Sequence, residues 1–196
     1  MPRAKKTMIA AVALSMVGNF RYITQTIDGV IQPTMTTWLL FAVAVSLSMW
    51  TYLATEKHSM LTNIGNTIDL VFCWIELFAI VFVSPHPRLG LNFFEVCCIA
   101  AALLIGYGWR RTRKHVLANL ALQGIMVVAY LPTLYGLWYA TTNHESLSAW
   151  AIQWLVCACA FITAFDKRDR LAMLYAGRAI TFVSLMLFLM IRIELR

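Results

Sequence analysis

The chain has 196 residues and a formal net charge of +7; 61% of its residues are hydrophobic and only 13% are charged. Soluble domains average about 45–50% apolar and about 25% charged residues, so one soluble core of this size cannot bury such an excess. The composition therefore predicts an all-α integral membrane protein, because a helix in a bilayer can be apolar all round.

Seven apolar stretches follow one another along the chain, each near the length of a transmembrane helix. A spanning helix needs about 20 predominantly apolar residues. The predicted spans are Thr7–Ile27, Thr37–Thr55, Leu61–Val83, Asn92–Trp109, His115–Tyr139, Leu147–Phe165 and Ala172–Ile193. Only short polar segments separate them, so residues 1–196 are predicted to form a single membrane domain.

The basic residues predict how these spans are oriented. Cytoplasmic loops of membrane proteins carry an excess of Lys and Arg. If the N-terminus is cytoplasmic, the cytoplasmic segments hold Arg3, Lys5, Lys6, Lys57, Arg110, Arg111, Arg113, Lys114, Lys167, Arg168 and Arg170. The outside segments hold only Arg88, Arg192 and Arg196. We therefore expect a bacterial inner-membrane protein with its C-terminus outside. Its positive charge faces membrane lipids, and nucleic acid is not an expected partner.

The spans form an internal repeat. An offset of 112 residues aligns the first three spans (7–83) with the last three (115–193) without gaps, and places Trp38 on Trp150 and Thr51 on Thr163. Residue identity is near that of any two apolar sequences, so the shared order of helix lengths, polar loops and charged turns carries the comparison. The fourth span (92–109) is left as a linker that makes the two repeats parallel.

This arrangement of three helices, a linker helix and three helices resembles the SWEET and PQ-loop (MtN3-like) transporter superfamily. Pro132 matches the proline of the family's Pro-Gln pair, and Leu147-Ser148 matches its Leu-Ser; Thr133 replaces the glutamine and Ser146 the glycine. The first repeat has Phe20-Arg21 and no proline there. SWEET proteins place the N-terminus outside, opposite to the charge distribution. Bacterial vitamin transporters of the nicotinamide riboside type resemble the same plan.

The resemblance implies transport of a small polar solute, sugar-like or vitamin-like, by alternating access between the two repeats. Polar residues inside the spans are candidates for the site, although such residues can also serve only as helix-to-helix hydrogen bonds. Three tryptophans, Trp50, Trp74 and Trp154, lie far enough from the span ends to stack on a solute ring. The predicted substrate-binding residues are Asn19, Tyr22, Gln25, Trp50, Asn66, Asn119, Gln123, Tyr130 and Trp154.

Ionisable residues within spans are functional candidates, because burying a charge in a bilayer is unfavourable. Depths counted at about 1.5 Å per residue predict two ion pairs, Arg21 with Glu76 and Asp69 with Arg178. The second pair would join the two repeats. The alternative is that both pairs only lock helices together.

Other functions find no support in the sequence. No lysine lies in the last span for a retinal Schiff base, the four histidines are scattered, and no catalytic or phosphate-binding spacing occurs. We therefore expect no enzyme activity, no metal and no cofactor. The alternative to transport is a non-catalytic accessory subunit, whose partner would be a larger membrane complex. A monomer or small homo-oligomer would favour transport, and stoichiometric co-purifying subunits would favour the accessory function.

Overall fold

The computed structural model describes residues 3–53, 59–61, 63–85, 91–112 and 115–196, without the side chains at positions 106, 109, 110, 112, 115, 116, 118 and 119. Seven helices make up most of this part. They are α1 (Arg3–Ile27), α2 (Met35–Leu53), α3 (Ile64–Phe78, continued as a π-helix over Ala79–Val83), α4 (Phe93–Thr112), α5 (His115–Tyr139), α6 (Leu147–Asp166) and α7 (Arg170–Glu194). The all-α class is confirmed, and the observed bounds lie within a few residues of the predicted spans.

Five helices in the described part of the chain are long and apolar enough to cross a membrane. These are Met35–Leu53, Ile64–Val83, Leu120–Tyr139, Leu147–Asp166 and Arg170–Glu194. The helix α1 begins with three basic residues and carries Asn19, Arg21 and Gln25 further on. Within α4, the described stretch Phe93–Ile105 is apolar. The protein is therefore a helical protein with at least five helices suited to a membrane.

Local sequence signals explain where several helices begin. A side-chain oxygen one residue before a helix can accept a hydrogen bond from an otherwise unpaired N–H of the first turn. Asn63, Ser146 and Asp169 do so at the starts of α3, α6 and α7. At α4 the bonds are reciprocal, because Glu95 N–H donates to Asn92 Oδ1 and Asn92 N–H donates to Glu95 Oε2.

The helices pack across the chain rather than in sequence order. The main neighbour of α1 is α6, and the main neighbour of α2 is α5. The helix α3 contacts α1 and α2, while α7 contacts α5 and α6. The helix α4 packs chiefly on α5 and lies outside this arrangement. The α1–α6 contact is close at Gly18, where an added Cβ would lie 2.9 Å from Ile152 Cγ2, so only glycine fits there without displacing Ile152.

The two ends of the bundle differ in charge. At one end, which we call the basic end, the N-terminus of α1 meets the turn between α6 and α7, with Arg3 Nε 3.8 Å from Asp166 Oδ2 and Lys167 donating to Leu61 O. At the opposite end, the α1–α2 and α5–α6 connections meet where Gln32 N–H donates to His144 O. The chain therefore passes from end to end with each helix.

Candidate functional site

A central cavity lies where six helices meet, and no described side chain of α4 lines it. It has about 50 Å³ of space for water-sized molecules. One water needs about 10–15 Å³ on this measure, so the cavity as it stands has room for a few waters and not for a sugar or vitamin. The lining residues are Gly18, Asn19, Tyr22, Trp38, Phe41, Val45, Asp69, Phe72, Cys73, Tyr130, Ala149, Trp150, Gln153, Tyr175 and Arg178.

Aromatic rings form one side of the central cavity. Tyr22 lies 5.2 Å from Trp38 and 6.1 Å from Trp150, measured between ring centroids. The rings of Trp38 and Trp150 are 6.4 Å apart, and Phe41 meets Tyr130 edge to face at 4.6 Å. Both tryptophans are buried, at 9% and 6% exposure, although their places near span ends suggest an interfacial belt. They face the interior because α2 packs against α5 and α6 packs against α1.

The polar side of the cavity is centred on Asp69 of α3. Its Oδ2 accepts a 2.6 Å hydrogen bond from the Tyr175 hydroxyl of α7, and its Oδ1 accepts a 3.3 Å bond from Gln153 Nε2 of α6. Hydrogen bonds to a charged acceptor are the stronger kind. Asp69 thus connects α3 of the first predicted repeat with α6 and α7 of the second.

Arg178 lies in the same cavity without a direct ion pair to Asp69. Its guanidinium carbon is 4.9 Å from the Tyr175 ring centroid and 5.8 Å from that of Tyr130, which is cation–π geometry. Its buried Nε and Nη1 have no hydrogen-bond partner among the described residues. The structure therefore brings Asp69 and Arg178 to one cavity, as the predicted pairing requires, but no ion pair within 4 Å joins them. Tyr175 contacts both instead.

The second predicted pair, Arg21 with Glu76, does not form. Arg21 is exposed, and its Nε donates to Ser148 Oγ at 2.6 Å. Glu76 is fully buried, and neither of its oxygens has a hydrogen-bond partner. The reason is helical phase: Tyr22 lies on the buried stripe of α1, and a neighbouring residue is rotated by about 100° from it. The sequence pairs Arg21 with Glu76 because they are predicted to lie at similar depth, but their side chains point in different directions.

Glu145 is a buried residue of the site that sequence reasoning placed in a loop. Its Oε2 accepts hydrogen bonds from the Tyr22 hydroxyl at 2.8 Å and from Trp150 Nε1 at 2.9 Å. It also lines a separate pocket of about 300 Å³ at the opposite end, which we call the end pocket. One feature of the sequence could have indicated this. Glu145 lies just before the helix cap Ser146, a position from which a side chain can reach the first turns of α6.

The remaining predicted polar residues divide into two groups. Asn19, Tyr22 and Tyr130 line the central cavity. Gln25 instead lines a shallow pocket at the opposite end. Asn66 is buried against α2, where its Nδ2 donates to Ser48 Oγ at 3.2 Å, and Gln123 is buried in α5 away from the cavity. The side chain of Asn119 lies outside the described residues.

Two predicted aromatic residues point away from the cavity. Trp50 is 75% exposed, because the buried face of α2 runs through Val45, Met49 and Tyr52 and leaves position 50 outside. Trp154 donates from Nε1 to Ser184 Oγ at 2.9 Å along the surface between α6 and α7. The structure therefore places Trp50 and Trp154 outside the central cavity, which Trp38 and Trp150 line instead.

No cluster of three or more His, Cys, Asp or Glu side chains that could hold a metal ion occurs in the described part of the chain. The five cysteines are free thiols. No family model matches this chain, and neither a curated protein nor a solved structure matches it significantly. The resemblance to SWEET and PQ-loop transporters therefore stays a prediction.

Proposed function

We propose that this protein transports a small polar solute, sugar-like or vitamin-like, by alternating access between α1–α3 and α5–α7. The observation that carries the proposal is the central cavity, which combines a carboxylate, an amide and an arginine with stacked aromatic rings. Such a lining suits a ligand with polar edges and a flat or ring-shaped body. All six helices of the two proposed repeats contribute to it.

The packing pattern supports two repeats related by a pseudo-two-fold axis. Exchanging α1 with α5, α2 with α6 and α3 with α7 converts the α1–α6 contact into the α5–α2 contact, and both are among the most extensive. The same exchange converts α2–α3 into α6–α7 and α1–α3 into α5–α7. The repeat-equivalent Trp38 and Trp150 lie next to each other in the cavity wall, with ring centroids 6.4 Å apart. We infer the arrangement of three helices, a linker and three helices, with α4 as the linker.

Hydrogen bonds join the helices at both ends of the cavity, and we propose that they are the closures that alternating access requires. At the opposite end, Glu145 holds Tyr22 to Trp150 and separates the cavity from the end pocket. At the basic end, the Tyr52 hydroxyl of α2 donates to Asp169 and Thr7 of α1 bonds to Thr163 of α6. A solute larger than a few waters enters only when one of these closures opens.

We further propose that the basic end is cytoplasmic and that the membrane is a bacterial inner membrane. Arg3, Lys5 and Lys6 lie at this end together with Lys167 and Arg168, whereas Arg192 and Arg196 lie at the other. The positive-inside rule supports this orientation. A reporter fused to the C-terminus tests it, and activity of the reporter only in the cytoplasm contradicts it.

The function is tested by a thermal-shift screen of the purified protein with sugars, nucleosides, vitamins and amino acids. We expect one class to raise the unfolding temperature of the native chain, and Gln153→Leu to remove that response. Thr181→Ala is the matched control, because Thr181 is exposed on α7 and bonds only to its own helix. A protein that responds to no solute and purifies with stoichiometric partner subunits contradicts transport and supports the accessory-subunit function.

A further inference from the structure

We infer that Glu76 is a proton-binding site that couples this transport to a proton gradient; the inference rests on the proposed function. Glu76 lies on α3, about 18 Å along the helix from Ile64 at the basic end. It is fully buried, and both of its carboxyl oxygens lack a hydrogen-bond partner among the described residues. Neither the central cavity nor the end pocket includes it among its lining residues.

A carboxyl group in this position is stable only in its neutral, protonated form. Removing an ionised carboxylate from water without a partner is far more unfavourable than burying the protonated group. Among the described residues, the one ion pair joins Arg3 to Asp166, so no basic side chain of this part of the chain pairs with Glu76 within 4 Å. Buried polar groups nearly always have a partner, so an acid kept without one points to a role other than stability.

The groups that face Glu76 disfavour its negative charge. Tyr22 of α1 and Glu145 before α6 are close enough to interact with it electrostatically, and Glu145 repels a second negative charge. On α3 itself, Cys73 lies nearly one turn away. The other neighbouring helices also contribute titratable groups, but these lie at a different depth in the bundle from Glu76. They are Arg178 and Tyr175 of α7 and Tyr130 of α5 around Asp69, Cys157 and Cys159 farther along α6, and Tyr52 of α2 at Asp169.

The structure offers a proton path from the opposite end. Glu145 lines the end pocket and accepts a hydrogen bond from Tyr22, and both lie near Glu76. When the closure at Glu145 opens, water from that side reaches Glu76, and its carboxylate takes up one proton. The neutral acid then permits the closed state described above. Opening toward the basic end hydrates the acid again and releases the same proton there, so each cycle moves one proton.

The backbone beyond Glu76 provides a local element that can rearrange. The helix changes to π-helical bonding over Ala79–Val83, and Ser84 N–H donates to Ala79 O five residues back at 2.8 Å. Single π-helical turns inside α-helices are frequent at functional sites. A return of this turn to α-helical bonding would rotate the end of α3 relative to Glu76 and thereby change its access to water.

The protonation state is tested without any solute by infrared spectroscopy of the whole protein. We expect a protonated-carboxyl C=O band at neutral pH that is absent from Glu76→Gln and retained in the control Glu95→Gln, whose acid has hydrogen-bond partners at the start of α4. If Glu76→Gln does not fold, native protein containing ¹³C-labelled glutamate gives the same readout as a shift of the band. A spectrum with no such glutamate band overturns the inference, whether or not the protein transports.

Coupling is then tested in vesicles with the solute that stabilises the native protein most. We expect a pH gradient to drive accumulation of this solute by the native chain, and Glu76→Gln to lose accumulation by at least about tenfold while still exchanging solute across the membrane. Gradient-driven accumulation that survives in Glu76→Gln overturns the coupling. Loss of both accumulation and exchange in this variant, with its protein folded, also contradicts it, because a residue needed only for coupling is dispensable for exchange.

Discussion

Two acids on α3, seven residues apart, lie in opposite environments. Asp69 accepts hydrogen bonds from Tyr175 and Gln153 at the centre of the cavity, whereas Glu76 has no partner for either oxygen. Seven residues are nearly two helical turns, so both acids leave α3 on similar faces. The difference arises from what the neighbouring helices present at each depth. A buried acid with partners holds helices together, and one without partners is available to exchange a proton.

Removing Asp69 is expected to have the largest effect. Asp69→Leu leaves the buried guanidinium of Arg178 without a neighbouring negative charge, and breaking a buried pair of charges costs about 3–5 kcal/mol. Thermal unfolding in detergent measures this loss. Asp69→Asn is the matched variant, because it removes the same charge but keeps the side-chain shape and an acceptor oxygen for Tyr175, so a smaller loss is expected. A loss below about 1 kcal/mol for Asp69→Leu would show that Asp69 does not hold the repeats together.

The acid that closes the opposite end comes next. Glu145→Ala removes the acceptor for Tyr22 and Trp150, and hydrogen bonds to a charged group contribute about 1.5–3 kcal/mol. We expect a loss of stability of that order in the same unfolding measurement, together with greater exposure of the Trp150 ring to a fluorescence quencher. Glu194→Ala is the control, since Glu194 bonds only to Asn143 at the surface. An unchanged quenching signal in Glu145→Ala would argue against its role as a closure.

A smaller effect is expected when only one bond to Asp69 is removed. Tyr175→Phe keeps the ring over Arg178 and deletes the hydroxyl that donates to Asp69. Loss of one such bond is worth about 1–2 kcal/mol, because the carboxylate retains Gln153. A double-mutant cycle with Asp69→Asn isolates the interaction, and additive effects of the two substitutions would show that Tyr175 and Asp69 do not interact.

The smallest effect on stability is expected at Glu76. Glu76→Gln replaces the neutral acid by a neutral amide of nearly the same shape, and there is no hydrogen bond to lose. We expect a change within about 0.5 kcal/mol at neutral pH. A loss of about 2 kcal/mol or more would mean that Glu76 has a partner in the folded protein, and the contrast with Asp69 would fail.

The sequence by itself determined the membrane class, the seven helices and most of their bounds. These follow from local properties: apolar runs set the lengths, and caps such as Ser146 and Asp169 set the starts. It also placed Asp69 and Arg178 at one depth, because each helix turn has a fixed rise. Tyr22 and Tyr130, which line the cavity, could be predicted from the sequence for another reason, because polar groups are rare in apolar spans.

Only the tertiary structure decided which side of each helix faces the interior. Trp38 and Trp50 both lie on the apolar helix α2, yet Trp38 lines the cavity and Trp50 lies at the surface. A helix that is apolar all round has no polar face to indicate its rotation, so periodicity cannot orient it. Depth alone pairs Arg21 with Glu76, but it does not give the direction of the side chain. The Arg21 side chain is exposed and bonds to Ser148. The burial of Glu145 depends on Tyr22 and Trp150, which reach it only when α1 packs against α6.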